Sequence, residues 1–381
     1  MTINCMRKKF ELMFVLGLFL ISVPVTVFAK VVTLPTFPQP AGLGQIVGAN
    51  FQNPTSAALS AHAVMIGMPM LQGDLPSGSG LSASINGTAY PTQIDVKTRY
   101  ADGSTRFGVV TVMAPTLSAN SANPTMFARA SLPSGATVSL ASMPNYSFTV
   151  DLAFTSGLSG TYHFDAATLL ATALAQGKVS YWRQGPIVTE GRVDVPVGSS
   201  MHLIFDIAKY VDGSYSTDVQ FANDYAMTAQ GGTLAYTATV NYNGNKYSSG
   251  PLTHFQYQGW HHVFSTNGIS GVNVQHDIAY IERTGAILNY DLSRGLNERY
   301  LNDQASAMSS YGDWSAPFGA KYDAGYTFTN GITMGMGITG GRDDIGPTTG
   351  YNAAWLMTQD PIAAKFAMYQ ADAAAIVPWH Y

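Results

Sequence analysis

Short segments in which apolar and polar residues alternate fill the chain from Val31 to about His276. A two-residue period is typical of β-strands that bury one face, and glycine, asparagine, aspartate and serine separate the segments. Clear examples are GVVTVMAPT, YSFTVDLAF and TLAYTATVNYNGNKYSSG. The pattern predicts antiparallel strands and hairpins through this region.

Local signals place several turns and one helix within the β region. The dipeptides Asn-Gly at 243–244 and Asp-Gly at 102–103 tolerate positive φ, and they predict two tight hairpins. The segment DAATLLATALAQG is helical in pattern, with Asp165 as its N-cap and Gly177 as its stop. We expect this helix to separate two β units.

The pattern changes after His276, where apolar residues recur at spacings of three and four. Two segments show this, ERTGAILNYDLSRGLNERYLNDQASAMSSYG and TGYNAAWLMTQDPIAAKFAMYQADAAAIV. Asp360 is placed to cap a last helix, Pro361 suits its first position, and Pro378 ends it. The sequence therefore predicts a C-terminal helical region.

Composition narrows the class of protein. Of the 381 residues, 46% are hydrophobic and only 11% are charged, with a formal net charge of −4. An average soluble domain has roughly 25% charged residues, so the surface is polar but weakly charged, as in extracellular β-rich proteins. Because the chain has no basic block or stripe, we do not expect nucleic acid as a partner.

The N-terminus has the pattern of an export signal. Basic residues at 7–9 precede a long apolar run, and Val27 and Ala29 occupy the small-residue positions of a cleavage site. Residues 1–29 are predicted to be a signal peptide of a secreted or periplasmic protein that leaves the membrane after cleavage. An uncleaved anchor is the alternative. Cys5, the sole cysteine, lies in this segment, so cysteine nucleophiles and cysteine metal ligands are excluded from the mature chain.

The stretch GMGITGGRDDIG at 335–346 contains a G-x-G-x-x-G pattern. A dinucleotide loop needs a strand before it and a helix at its third glycine, and this context is missing, so no cofactor is expected. We interpret the stretch as a functional loop in which Arg342 binds a sugar carboxylate and Asp343 and Asp344 contact substrate. The structural alternative is that an aspartate caps the next helix and pairs with Arg342.

The stretch THFQYQGWHH concentrates aromatic and histidine side chains. On one strand, neighbouring His261 and His262 point to opposite faces, and His254 is too far along the strand to share a metal with them. We therefore expect no metal, although zinc bound with outside ligands is an alternative. The functional interpretation is a sugar platform of Tyr257 and Trp260 with one histidine as acid or base. The structural interpretation is that the aromatics pack between the β and α parts.

Four stretches resemble a known family: YADGSTRFGVVT, GPIVTEGRV, YQGWHHVF and GGRDDIGPTTGYNAAWLMTQDP. They resemble large secreted bacterial proteins related to exo-acting polysaccharide lyases of the rhamnogalacturonan type, and the resemblance runs from about residue 45 onward. It implies an N-terminal RIFT-barrel-like β domain, a second β unit and an α/α toroid. The chain has about three of the dozen helices of such a toroid, so it resembles the front half of a relative.

Together these observations predict a β-rich multi-domain protein of β-barrel-like or β-sandwich units, followed by a helical segment that resembles the start of a toroid. After the signal peptide, the predicted domains are 30–160, 161–275 and 276–381. Two minor expectations are that Glu190 and Arg192, which share a strand face, form a surface ion pair, and that His202 is structural.

Two functions remain open. One is a lyase that cleaves acidic polysaccharide by β-elimination, in which Arg342 clamps the carboxylate, His261 or His262 is the base, and Tyr290 is the acid. In a hydrolase, an aspartate of the loop would instead pair with a distant acid such as Glu282. The other function is a non-catalytic secreted or envelope-associated protein that binds glycans. A polysaccharide or oligosaccharide is the expected partner in each case.

Overall fold

The computed structural model describes residues 30–225, 231–267, 271–310 and 348–376. The strands of its first β unit are β2 (Gln45–Asn53), β3 (His62–Pro69), β4 (Gly80–Ile85), β5 (Thr88–Tyr90), β6 (Thr92–Arg99), β7 (Thr105–Ala114) and β8 (Ser121–Ala130). A second unit follows with β9 (Phe148–Ser156), β10 (Gly160–Asp165), α1 (Ala166–Ala175), β11 (Ser180–Gln184), β12 (Val188–Val197), β13 (Met201–Tyr210), β14 (Tyr215–Asn223), β15 (Leu234–Tyr242), β16 (Asn245–His254) and β17 (Gln258–Ser265). The remaining elements are β1 (Val31–Val32), β18 (Asn273–His276), α2 (Ile278–Arg283), β19 (Leu296–Asn297), α3 (Glu298–Ser310), α4 (Gly350–Thr358) and α5 (Pro361–Ile376).

The first unit consists of two open antiparallel sheets. One has the order β18-β2-β8-β4-β5 and the other β3-β7-β6, and their apolar faces share a core that includes Phe51, Val110 and Phe127. In the described residues no ladder joins the two sheets, so the expected barrel-like closure is wrong. The strands pair only within each sheet, which leaves a two-layer packing.

The second unit is a β-sandwich, as predicted in general form. Its sheets have the orders β10-β9-β15-β16 and β11-β12-β13-β14-β17. Alternate residues of β15 are buried, as the two-residue period requires, and face a shared core with Phe148, Phe205 and Phe221.

The division between the two units lies earlier than predicted. The second core begins at Leu140, and β9 and β10 are paired neighbours in one sheet, so a boundary at 160/161 would cut that sheet. Helix α1 contributes Ala166 and Leu170 to the same core. It therefore covers the second sandwich and does not separate the units, because its apolar side needs the surface that β9 and β12 provide.

Hydrogen bonds join the two units. The Gln93 side chain on β6 accepts from the backbone N–H groups of Ile187 and Val188 at 2.9 and 3.1 Å. Arg183 on β11 is buried and donates to the Thr111 hydroxyl of β7 at 3.2 Å. The outer face of the five-stranded sheet is therefore covered by the first unit near β11.

The predicted turns and caps are confirmed. Asn243 and Gly244 have φ of 48° and 81° and close the β15–β16 hairpin, and Gly103 has φ of 83° between β6 and β7. Asp165 caps α1 and accepts from the Thr168 N–H at 2.7 Å. These features depend on local sequence alone.

The C-terminal helices confirm the predicted helical region, with α5 beginning at Pro361 and Asp360 accepting from the Ile362 N–H at 2.8 Å. Among the described helices, none is long and apolar enough to cross a membrane. Helix α5 packs against α3 and α4 and approaches β17, the edge strand of the five-stranded sheet.

The corner between α4 and α5 fastens the helices to β18. Gln359 is fully buried in a left-handed conformation, with φ of 52°. Its backbone oxygen accepts from the side chains of Asn273 and Gln275, each at 3.2 Å, and its side-chain oxygen accepts from the His276 N–H at 2.7 Å. Three hydrogen bonds from one strand therefore hold this corner in place.

Candidate functional site

The stretch THFQYQGWHH spans a turn between the two sheets of the sandwich. His254 ends β16 in the four-stranded sheet, and residues 255–257 reverse the chain into β17 of the five-stranded sheet. His261 and His262 lie on opposite faces of β17, as predicted. The prediction treated the stretch as one continuous strand with His254 far from His262. The chain instead reverses after His254, so that predicted position of His254 is wrong.

Trp260 is a core residue. Its side chain is 1% exposed, and its ring stacks on Phe221 with centroids 3.7 Å apart. The indole N–H donates to the Tyr236 hydroxyl at 3.0 Å. The prediction that Trp260 contacts substrate is therefore wrong, because its faces and its N–H are all used inside the sandwich.

The Tyr236 hydroxyl connects Trp260 to His254 by hydrogen bonds. The Tyr236 hydroxyl donates to His254 Nδ1 at 2.9 Å, and His254 Nε2 donates to the Gln258 carbonyl at 2.8 Å. Burial lowers the pKa of His254 to about 4, so the ring is neutral and one nitrogen accepts while the other donates. The relay from Trp260 through Tyr236 to His254 satisfies every polar group in it.

His262 points to the same side as Trp260 and Phe264. Its ring packs edge-on against Phe264 with centroids 4.7 Å apart, and burial lowers its pKa to about 4. His262 therefore points into the sandwich interior, whereas a catalytic base must reach substrate at the surface. The prediction of His262 as the base is wrong.

His261 lies on the outer face of the same sheet. Its Nδ1 is 2.9 and 3.0 Å from the two carboxylate oxygens of Asp218 on the neighbouring strand. On the same face, Arg192 donates both of its fork nitrogens to Asp206 at 2.7 and 2.6 Å. The expected Glu190–Arg192 pair is wrong, because Glu190 instead accepts from Arg183 at 2.6 Å.

Tyr257 is the last residue of the β16–β17 turn. Its φ is 65°, a left-handed conformation that is uncommon for an aromatic residue, and its N–H donates to the Asn223 carbonyl at 2.6 Å. Its side chain is 42% exposed. The turn therefore directs an aromatic ring toward solvent, as the predicted binding role requires.

Two further aromatic side chains lie at this end of the sandwich. Phe255 is in the same turn and 44% exposed, and Tyr225 follows β14 and is 38% exposed. Gln256 bridges them by donating to the Tyr225 carbonyl at 3.5 Å. We call Tyr225, Phe255 and Tyr257 the aromatic rim.

A charged group adjoins the aromatic rim. His202 lies between Asp194 and Asp224, with each ring nitrogen 2.7 Å from a carboxylate oxygen, and it stacks on Tyr225 with centroids 4.5 Å apart. Burial alone lowers the pKa of His202, but the bonds to both aspartates outweigh it and raise the pKa to about 9. His202 is therefore protonated at neutral pH. Sequence reasoning missed this group because its members come from β12, from β13 and from the residue that follows β14.

The predicted acid Tyr290 lies between α2 and β19. Its N–H donates to a Glu282 carboxylate oxygen at 2.7 Å, and its buried hydroxyl has no hydrogen-bond partner among the described residues. Asp291 accepts from the Ser293 hydroxyl and N–H in a local turn. In the described part of the chain, no hydrogen bond joins Tyr290 to the strand of His261.

The predicted loop residues Arg342, Asp343 and Asp344 lie outside the described residues. No group of three or more histidine, cysteine, aspartate or glutamate side chains within residues 30–225, 231–267, 271–310 and 348–376 is arranged to hold a metal ion. Comparison of the chain with protein-family models and with curated proteins finds no match.

Proposed function

We propose that this protein binds glycans through the aromatic rim of its second β unit. The observation that carries the proposal is the placement of three exposed aromatic side chains, two in the β16–β17 turn and one just after β14, beside two carboxylates. Pyranose rings have an apolar C–H face that packs on aromatic rings and hydroxyl groups that bond to carboxylates, so this combination suits a sugar.

The exposure of the aromatic rim is the first support. Large apolar side chains left in water cost about 25 cal/mol for each Å² of apolar area, and clustered ones mark surfaces that contact a ligand or a partner. Other aromatic residues of the second unit, such as Phe148, Phe205 and Phe221, are at most 1% exposed. Among its described residues, the same unit thus buries most of its aromatics and groups these three at one end, while Tyr181 and Trp182 are exposed on the edge strand β11.

The rigidity of the aromatic rim is the second support. Asn223 is fully buried behind it and donates to the carbonyls of Gly232 and His254 at 2.9 and 3.2 Å, while its own oxygen accepts from Ser200 at 2.7 Å. The backbone N–H of Tyr257 donates to the Asn223 carbonyl. A ligand that stacks on a ring carried by this fixed backbone loses less free energy to ordering of the turn.

The charges beside the aromatic rim define the polar contacts. Asp194 and Asp224 each give one oxygen to His202, and the side chain of Asp194 remains 47% exposed. A carboxylate with an exposed oxygen accepts two neighbouring sugar hydroxyls. Two negative charges against one positive charge favour a neutral glycan over an acidic one.

Binding of soluble polysaccharides, followed by affinity electrophoresis and titration calorimetry, tests the proposal. We expect Tyr257→Ala to weaken binding about tenfold or more, as removal of a stacking aromatic anchor does. Tyr181→Ala is the matched control, because Tyr181 is also 42% exposed but lies on β11. Equal losses in both variants, or no binding by the unaltered protein to neutral or acidic polysaccharides, would refute glycan binding at the rim.

A second candidate is the β-elimination of acidic polysaccharide, which the Asp218–His261 pair favours. A carboxylate on one imidazole nitrogen orients the ring and makes it a stronger base. His261 follows Tyr257 by four residues, so along a strand it lies at most about 14 Å from the aromatic rim. In this proposal Arg342 clamps the sugar carboxylate, and the chain is the front part of a rhamnogalacturonan-type lyase whose helices begin a toroid.

The ultraviolet absorbance of unsaturated uronic acids tests the elimination. If the proposal is correct, the protein forms these products from pectic polysaccharides, and both His261→Gln and Asp218→Asn slow their formation by about 100-fold or more. If no unsaturated products form from any of a panel of acidic polysaccharides, the elimination proposal is refuted and only the glycan-binding proposal stands.

A further inference from the structure

At the opposite end of the second unit, four loops enclose an open groove of about 690 Å³. The loops are residues 144–147 before β9, 212–215 between β13 and β14, 243–244 between β15 and β16, and 266–267 after β17. Strand β13 crosses the sandwich between the two ends in 10 residues, which corresponds to about 30 Å. The groove is therefore separate from the aromatic rim.

The groove walls are rigid. Asn145, Gly213, Asn243 and Gly244 have φ values of 63°, 86°, 48° and 81°, which form tight turns at these positions. Tyr215 at the base of the groove is 3% exposed, and its hydroxyl donates to the Pro144 carbonyl at 2.9 Å. The loops are thus tied to the core beneath them.

The groove presents polar groups that the fold does not use. The side chains of Asn145, Ser147 and Asn267 make no hydrogen bond among the described residues. Asp212 uses Oδ1 to accept from the Ser214 N–H and hydroxyl at 2.9 and 2.6 Å, while its Oδ2 accepts no bond within the described chain. Amides and hydroxyls that both donate and accept match a ligand whose groups do the same, as sugar hydroxyls do.

The volume and charge of the groove narrow the ligand class. A cleft of roughly 300 to 1,000 Å³ holds a small molecule or a few sugar rings. Among the described lining residues, Asp212 is the only charged one, so an anionic sugar would meet repulsion and no cation. We propose that this groove is a second binding site, for a neutral oligosaccharide or a similar polyhydroxylated ligand, through Asn145, Ser147, Asp212 and Asn267.

The test first substitutes a side chain of the aromatic rim and then a side chain of the groove. Cellohexaose, xylohexaose and mannohexaose are the neutral probes, and trigalacturonic acid is the acidic one, in calorimetric titrations of the Tyr257→Ala protein. We expect this protein to retain saturable binding of a neutral probe, and Asn145→Gly to weaken that binding at least about tenfold. Glycine keeps the left-handed backbone at 145 while it removes the amide.

Asn120→Gly is the matched control, since Asn120 is exposed, has φ of 49° and lies in the first unit. If Asn145→Gly lowers stability, Asn267→Ala gives the same test on another loop. Binding that disappears with Tyr257→Ala alone overturns the groove proposal while the rim stands. Binding that survives Tyr257→Ala and both groove variants overturns the groove proposal and gives the rim no support. Binding that survives Tyr257→Ala but is lost in the groove variants supports the groove, and full retention of affinity in Tyr257→Ala then refutes the rim.

Discussion

Tyr236→Phe tests the buried relay that joins the two sheets behind the aromatic rim. The substitution removes one oxygen, which accepts from Trp260 Nε1 at 3.0 Å and donates to His254 Nδ1 at 2.9 Å. Trp260 is 1% exposed and His254 is fully buried, so neither lost bond is replaced by bulk water. Loss of a hydrogen bond to a buried polar group costs about 1–3 kcal/mol, so for the two bonds we expect the free energy of unfolding to fall by about 2–6 kcal/mol.

Urea denaturation at neutral pH, with an unchanged m-value as the sign that the unfolded state is the same, measures this loss. Tyr247→Phe is the matched control, because Tyr247 packs against Phe264 in the same sandwich and its hydroxyl makes no hydrogen bond among the described residues. We expect the control to change stability by less than about 0.5 kcal/mol. A Tyr236→Phe protein as stable as the control would refute the relay.

Three further outcomes follow from the structure. Between pH 6.5 and about 9 the free energy of unfolding should fall as pH rises, because the raised pKa of His202 stabilises the folded state most below pH 6.5; His202→Gln should remove this slope in urea titrations. Gln359→Ala should lower stability by about 1–3 kcal/mol in thermal melts, since it removes the side-chain oxygen that accepts from the His276 N–H. Gly48→Ala should cost about 1–3 kcal/mol in the same melts, because its Cβ would lie 2.0 Å from the Pro38 carbonyl oxygen.

The outcome at the candidate site shows where local pattern was sufficient. The opposite directions of His261 and His262 followed from strand geometry, and the solvent exposure of Tyr257 agrees with its predicted role. The same pattern did not distinguish Tyr257 from Trp260, three residues later. One ring lies in a turn and the other in the interior, and the difference depends on where the chain reverses between two sheets.

The ion pairs of β12 show more clearly what the sequence alone could not predict. Glu190 and Arg192 share a face of β12, yet each pairs with a residue on a neighbouring strand, Arg183 and Asp206. In a sheet, the directly opposite residue on the next strand is closer than the residue two positions along the same strand. Strand order and register, which no single segment contains, therefore decided these pairs.

The sequence by itself determined the β-rich character of the chain, its hairpins at 102–103 and 243–244, the cap of α1 and the start of α5, because each depends on backbone preferences within a few residues. Only the tertiary structure decided that the first unit is two open sheets and that the core of the second begins at Leu140. It also brought Asp194, His202 and Asp224 together beside the aromatic rim. These features depend on contacts between distant segments, whose formation is set by the packing of whole sheets.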